Sequence, residues 1–290
     1  MTSSKAVLSV AVLLLASAPL ALGQGTYTQI DVPGSTQTQA YGIDTAADVV
    51  GYYEDTSGAF HGFLLSGGAY TTIDYPGQSE TFLSAINDRG QIVGEYFAGF
   101  NGGFLYNIAQ QHFTNLAFPN SSGVAPYGIN NAGTIVGNIY FNQSGKPPNV
   151  GFEFSNGSYQ PVIKGGFTAS YIRGINNSGE AVGGVFKNGY LRLFLLEQGK
   201  LIPLEIHAPN PAPQAINNSG AIVGEYNPTE TTEEGFPYQN DVFQPLVFPG
   251  SIQTAATGIN DLGEVVGQFT DSSSSIHGFT WTPPADAAKK

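Results

Sequence analysis

The sequence predicts an all-β fold, a six-bladed β-propeller with four-stranded blades whose last blade is closed by the N-terminal strand. Three observations carry this prediction. The stretch Ile86-Asn87-Asp88-Arg89-Gly90-Gln91-Ile92-Val93-Gly94 returns five more times in variant form, its isoleucine recurring at Ile43, Ile86, Ile129, Ile175, Ile216 and Ile259. The intervals of 43, 43, 46, 41 and 43 residues lie in the range of repeat architectures. The last unit stops after Trp281 without a fourth strand, while a spare copy of that strand, Tyr27-Thr28-Gln29-Ile30-Asp31-Val32-Pro33-Gly34, precedes the first unit. The termini therefore complete each other into a ring, where an open solenoid would need polar caps.

Each unit begins with a strand that carries a small residue before the isoleucine, namely Gly42, Ala85, Gly128, Gly174, Ala215 and Gly258. A bulky side chain there would hold the neighbouring sheet away, and the isoleucine faces the other side. An Asn-Asn/Asp-x-Gly turn follows in five units, as in Asn87-Asp88-Arg89-Gly90. Asn and Asp cap turn backbone and Gly accepts positive φ, so this is a short hairpin. The first unit has Asp44-Thr45-Ala46-Ala47 instead, which predicts a changed loop or strain at Ala47.

The second strand ends in glycine in every copy, at Gly51, Gly94, Gly137, Gly183, Gly224 and Gly267, which marks close backbone approach. Loops of divergent length and chemistry come next, where individual function can be written. The third strand is marked by Phe63, Phe104, Phe152, Phe194, Phe236 and Phe279, with glycine before it in five of six. Fourth strands resemble Tyr70 to Gly77, with counterparts at Phe113 to Pro119, Tyr159 to Ile163, Leu201 to Ile206 and Phe243 to Pro249. Proline ends them because it cannot donate to the ladder.

Residues 1–23 combine Lys5, an apolar run from Ala6 to Leu22 and small residues near Gly23, the pattern of a cleaved secretory leader. Residues 24–282 form one propeller on this reading, and residues 283–290 a short, polar, disordered tail. The mature chain has no further stretch long enough to span a membrane and is expected to be an exported monomer. It has no cysteine, which excludes thiolate catalysis and thiolate metal sites. A net charge of -12 and cations scattered singly along the chain argue against a nucleic-acid partner.

The repeats resemble those of the extracellular HAF-repeat family of bacterial exported proteins. The resemblance runs from residue 26 to residue 282 through Gly-Ile-Asn-Asn/Asp-x-Gly-x-Ile-Val-Gly followed by His-x-Phe. The histidine is kept in two copies, His61-Gly62-Phe63 and His277-Gly278-Phe279. The resemblance implies the fold and export, and no activity.

Candidate chemistry is sparse. His61 and His277 occupy equivalent positions in blades that adjoin on closure, but the other copies place Gly102, Val150, Arg192 and Glu234 there, too few ligands for a metal. No cofactor loop and no nucleophile elbow is present. Glu95 and Glu225 follow second-strand glycines in opposite blades, too far apart to share a scissile bond, and read as solvated strand ends. The Asn-rich turns are too short to wrap calcium.

A ligand site is expected on the face opposite the Asn-Gly hairpins, where the variable loops gather. That face carries Glu54, Asp55, Tyr96, Lys146, Tyr190, Glu230, Glu233, Glu234 and Asp271. The function expected is a non-enzymatic binding or surface-interaction module for extracellular polysaccharide or a cell-surface protein. Two alternatives stand beside it: a glycan-active enzyme with acids from loops at the channel mouth, and a structural matrix component.

Overall fold

The computed structural model describes residues 25–99, 101–142, 147–162 and 167–284. The leader read at residues 1–23, Lys146, Ile163 and tail residues 285–290 lie outside these. Within them the chain forms 24 strands and no helix. Strand β1 (Thr26–Ile30) stands first. Blade 1 then comprises β2 (Gln37–Ile43), β3 (Val49–Glu54), β4 (Phe60–Ser66) and β5 (Ala69–Ile73). Blade 2 comprises β6 (Glu80–Ile86), β7 (Gln91–Phe97), β8 (Asn101–Asn107) and β9 (His112–Leu116). Blade 3 comprises β10 (Gly123–Ile129), β11 (Ile135–Tyr140), β12 (Asn149–Ser155) and β13 (Ser158–Val162). Blade 4 comprises β14 (Ala169–Ile175), β15 (Ala181–Lys187), β16 (Tyr190–Glu197) and β17 (Lys200–Pro203). Blade 5 comprises β18 (Ala212–Ile216), β19 (Ile222–Tyr226), β20 (Glu234–Gln239) and β21 (Val242–Phe243). Blade 6 comprises β22 (Gln253–Ile259), β23 (Val265–Thr270) and β24 (Ile276–Thr282). Strand β1 is its fourth member, pairing antiparallel with β24 from Thr26↔Thr282 to Ile30↔Gly278.

The third-strand phenylalanines form the cores of the blades. All six are at most 2% exposed, and burying such a ring contributes roughly 1.5–3 kcal/mol. The small residues before the isoleucines let successive blades touch backbone to backbone. A Cβ on Gly42 would stand 2.8 Å from the Cα of Ala85, and one on Gly174 2.7 Å from the Cα of Ala215.

Every innermost strand carries a β-bulge at the residue before that small one, at Tyr41, Ser84, Tyr127, Arg173, Gln214 and Thr257. The bulge explains the second-strand glycine, whose Cβ would lie 2.0–2.3 Å from a carbonyl oxygen of the same blade's innermost strand in all six copies. Below the bulges, Ile43, Ile86, Ile129, Ile175, Ile216 and Ile259 form an apolar waist in the central channel, bordering a cavity of about 70 Å³ on each side.

The Asn-Gly hairpins are short, as predicted, but they also link the blades. In each, the first side chain caps its own turn, as where Asn130 Oδ1 accepts from the Ala132 and Thr134 amides. Its Nδ2 then donates to the backbone carbonyl of the next hairpin: Asn87 to Asn130, Asn130 to Asn176, Asn176 to Asn217, Asn217 to Asn260, and Asn260 to Asp44, at 2.9–3.2 Å. The sixth step is missing because Asp44 has no amide to donate to Asn87. Ala47 keeps the turn of the other blades, its amide donating to Asp44 O at 3.1 Å, and adopts φ 62° to do so. Of the two outcomes predicted for this turn, the loop is unchanged and Ala47 carries the strain.

Candidate functional site

The bulged residues determine what faces the loop-side mouth of the channel. A bulge re-aims its side chain away from the pleat, and here six successive blades present Tyr41, Ser84, Tyr127, Arg173, Gln214 and Thr257 around one cavity above the isoleucine waist. A second cavity of about 280 Å³ opens beside it, lined by Tyr41, Tyr52, Phe82, Glu95, Tyr127 and Arg173 among others.

Arg173 is central to this collar. Its guanidinium lies 4.2 Å from the centre of the Tyr127 ring and 5.9 Å from that of Tyr171, a cation held over aromatic faces. Tyr41 and Tyr52 stack at 5.4 Å, and the Tyr52 hydroxyl donates to Gln39 Oε1 at 2.8 Å. Tyr52 also meets the edge of Phe82 at 4.9 Å. The hydroxyls of Tyr127 and Tyr140 bond at 2.9 Å. Burial pushes the phenols of Tyr41, Tyr127 and Tyr171 up, Tyr171 to about 12, so they stay neutral hydrogen-bonding groups at physiological pH.

Glu225 corrects the expectation of a solvated strand end. Burial, reinforced by the nearby charge of Glu233, pushes its carboxyl up to about 7 from an ordinary 4.5. Gln214 Nε2, donating to its Oε1 at 3.2 Å, and the charge of Arg173 pull it partly back. The mouth thus combines aromatic faces, one permanent cation, a carboxyl poised near neutrality and an amide.

Lys146 aside, the residues expected from the loops are not gathered into one site. Tyr96 is a core residue, 9% exposed, stacked on Tyr75 at 4.0 Å with its hydroxyl donating to Asn115 Oδ1. Asp55 and Asp271 cap their own loops: Asp55 Oδ1 accepts from the Ser57 and Ala59 amides, Asp271 Oδ1 from those of Ser273 and Ser275. Glu54 accepts from Thr36 and Gln37, and Glu234 from the Tyr226 hydroxyl. Glu233 is half-buried beside Glu225, and Glu230 is exposed. Tyr190 is 71% exposed, on the wall of a groove between blades 4 and 5.

The two histidines of the repeat are tied into the sheet edge. Nδ1 of His61 lies 2.9 Å from Asp74 and its Nε2 3.5 Å from Asp55; His277 stands likewise between Asp31 and Asp271. Burial alone would depress His61, but the two carboxylates outweigh it and hold the imidazole above its ordinary value. Among the described residues no cluster of three or more His, Asp or Glu side chains could hold a metal ion.

The collar escaped the sequence reading because its signal is a contrast. The position two before each isoleucine varies in size and polarity, whereas the small residue and the isoleucine that follow it recur in every copy.

No family model matches the sequence, and no curated protein sequence does either. Solved structures match in fold. The chain is similar to TolB from Acinetobacter baumannii (TM-score 0.56, 10% identity), covering 87% of this chain and 65% of that one. It thus spans just under two thirds of TolB's length. It is also similar to AofleA from Arthrobotrys oligospora (TM-score 0.53, 12% identity, 89% of each chain). A third similar structure is the Aleuria aurantia lectin in complex with Fucalpha1-6GlcNAc (TM-score 0.53, 13% identity, 86% of this chain and 93% of that one). At these identities the likeness establishes the β-propeller and nothing finer.

Proposed function

We propose that this protein is an exported binding module that takes an extracellular glycan at the loop-side mouth of its channel. The observation that carries the reading is the bulged collar, in which Tyr41, Tyr127 and Arg173 converge from three blades over one cavity. Sugars are held by stacking an apolar ring face on aromatics while hydroxyls bond to charged and amide groups, and this mouth offers both. Export rests on the leader pattern of residues 1–23 and on the resemblance to HAF-repeat proteins. The fold likeness to a lectin that holds a fucosylated sugar adds support.

The test is a glycan array probed with the purified protein and its Arg173→Gln variant. Retention of a glycan by the first and at least tenfold weaker retention by the second is expected, about 1.4 kcal/mol of lost binding. Retention unaffected by the substitution would place the site elsewhere, and retention of nothing would end the glycan reading.

A second reading is glycan hydrolysis, favoured by one observation: the Glu225 carboxyl, held at about 7 beside Glu233, has the character of a general acid. Product analysis on any retained glycan decides it. Turnover that Glu225→Gln abolishes would replace the binding-module reading.

A further inference from the structure

The innermost strand of a blade normally seats against the third strand of the blade before it, and glycine makes the space. A Cβ on Gly62 would stand 2.7 Å from Leu83 Cγ, one on Gly151 2.9 Å from Ile172 Cγ1, and one on Gly235 3.2 Å from the Ala256 amide nitrogen. Blade 4 has Leu193 at this position, and β16 makes no comparable approach to β18. The junction opens there into a groove of about 1010 Å³, whose walls include Leu193, Tyr190, Leu191, Lys187, Arg192 and Glu205.

Charge is distributed just as unevenly. The chain has a net charge of -12, yet of the five Lys and Arg among the described residues four lie in blade 4, at Arg173, Lys187, Arg192 and Lys200. Against these, the blade's strands and hairpins carry two carboxylates, Glu180 and Glu197. The stretch from Arg173 to Lys200 thus gives one blade four of the cations of an acidic chain. Lys187 and Arg192 project from adjacent strands, where Lys187 pairs with Tyr190 and Arg192 with Val185, and all three polar residues are exposed. Among the described residues no carboxylate forms an ion pair with either cation. Side-chain packing links the groove wall to the collar across blade 4. Tyr171 and Leu191 both close over Gly184, their atoms 2.6 and 2.7 Å from where its Cβ would be, and Tyr171 lies under Arg173.

We infer that this groove binds an acidic polysaccharide, a chain of uronic acid residues that runs from the channel mouth across blade 4. The inference rests on the glycan-binding reading and specifies its ligand class. Arg173 at the mouth and Arg192 and Lys187 in the groove engage successive carboxylates, and the guanidinium forks suit the bidentate geometry of a carboxylate. Tyr190 offers an exposed ring on which a pyranose stacks. Glu205, on the same wall, disfavours a close second carboxylate near it. A long polyphosphate is a poorer occupant, because it has no pyranose face to set on Tyr190 and its denser charge meets more repulsion from the carboxylates of the other five blades.

The experiment measures retention of polygalacturonate, alginate, fully methyl-esterified polygalacturonate and single-stranded DNA by the full protein, by Lys187→Gln/Arg192→Gln and by Tyr190→Ala. All three substituted side chains are exposed, and unchanged melting temperatures confirm folding. The protein should retain an acidic polysaccharide roughly tenfold more tightly than the methyl ester and release it in roughly 0.5 M salt. The double variant should lose that preference, roughly tenfold for two partly exposed charge contacts, while Tyr190→Ala weakens retention with the salt dependence kept. Equal retention of acid and ester, acid retention untouched by the double variant, or tighter retention of DNA through the same cations would each overturn the inference. If Arg173→Gln still releases a neutral glycan in those cases, the mouth reading survives alone. If no glycan is retained at all, both readings fall.

Discussion

The two faces of this propeller are built from the same repeats and solve opposite problems. On the hairpin face five blades use Asn for the same two tasks, capping a turn and reaching the next blade, and the geometry hardly varies from copy to copy. On the loop face the bulged position is Tyr, Ser, Tyr, Arg, Gln and Thr in six blades, and the loops differ in length. Uniformity marks where a repeat must bond to its neighbour, and divergence marks where it is free to meet something else. Blade 1 tests the first half of that statement, since Asp44 and Ala47 break the hairpin pattern and keep the turn. Blade 4 tests the second half, since Leu193 breaks the glycine pattern and opens a groove.

The comparison is broken most forcefully at the glycine that both faces need. Gly137→Ala places a Cβ 2.1 Å from the Ala125 carbonyl, so the bulge of blade 3 must shift. A loss of ~3 kcal/mol or more, read as a lowered denaturation midpoint, is expected; a loss below ~1 kcal/mol would mean that the bulge is not what excludes a side chain there.

Glu225 provides the next largest effect. Its folded value lies above its free one, so ionisation opposes folding: no penalty below about pH 4.5, a growing one as pH rises toward about 7, and a constant one above. Glu225→Gln should remove that slope and gain up to ~3 kcal/mol at pH 8, measured as stability across pH 4 to 8. A parallel slope in the variant would assign the titration elsewhere. Asn130→Ala should cost ~2 kcal/mol, because one side chain leaves its own turn uncapped and the Asn176 carbonyl without its partner. The same substitution at Asn177, whose Oδ1 accepts only the outer contact from the Asn131 amide, should cost less.

The smallest effects sharpen the contrast at blade 1. Ala47→Gly removes a left-handed alanine and should gain ~1 kcal/mol; Asp44→Asn supplies the missing amide to Asn87 and should gain about as much at neutral pH. Asp44 is itself raised above its ordinary value by burial, so the gain from Asp44→Asn should shrink as pH falls through that raised value. No gain from Asp44→Asn would mean that the sixth step of the ring is already satisfied in another way, and none from Ala47→Gly that the left-handed alanine carries no strain.

Much of the fold was legible because each repeated residue has one physical reason. Small residues before the isoleucines, glycines within the second strands and buried phenylalanines each restrict one distance, and six copies fix the spacing. The closure of blade 6 followed from a missing strand and a spare one. The bonding between hairpins was not legible, since turn capping already accounted for Asn87, Asn130 and their counterparts, and a second use of the same amide leaves no separate mark. Loop residues such as Tyr96 and Asp55 looked available because chain position tells nothing of the ring or turn they complete. Arg173 was hidden by the repeat itself, a variable position just ahead of the recurring small residue and isoleucine, and the closeness of Lys187 to Arg192 depends on a register that only strand pairing provides.

Closing blade 6 with β1 leaves the ring without a structural first blade. The seam between Thr26–Ile30 and Gly278–Thr282 pairs strands from opposite ends of the ring's sequence and is held by the same ladder as any other strand pair. A circularly permuted chain that starts within the loop after β5 and joins the old termini through a short linker would keep every blade-to-blade contact. The order in which blades are made is thus separable from the order in which they stand. Cutting away a terminal strand is a different matter: without β1 blade 6 is three-stranded with an open edge, and without β24 it keeps only the β22–β23 pair and β1 loses its partner.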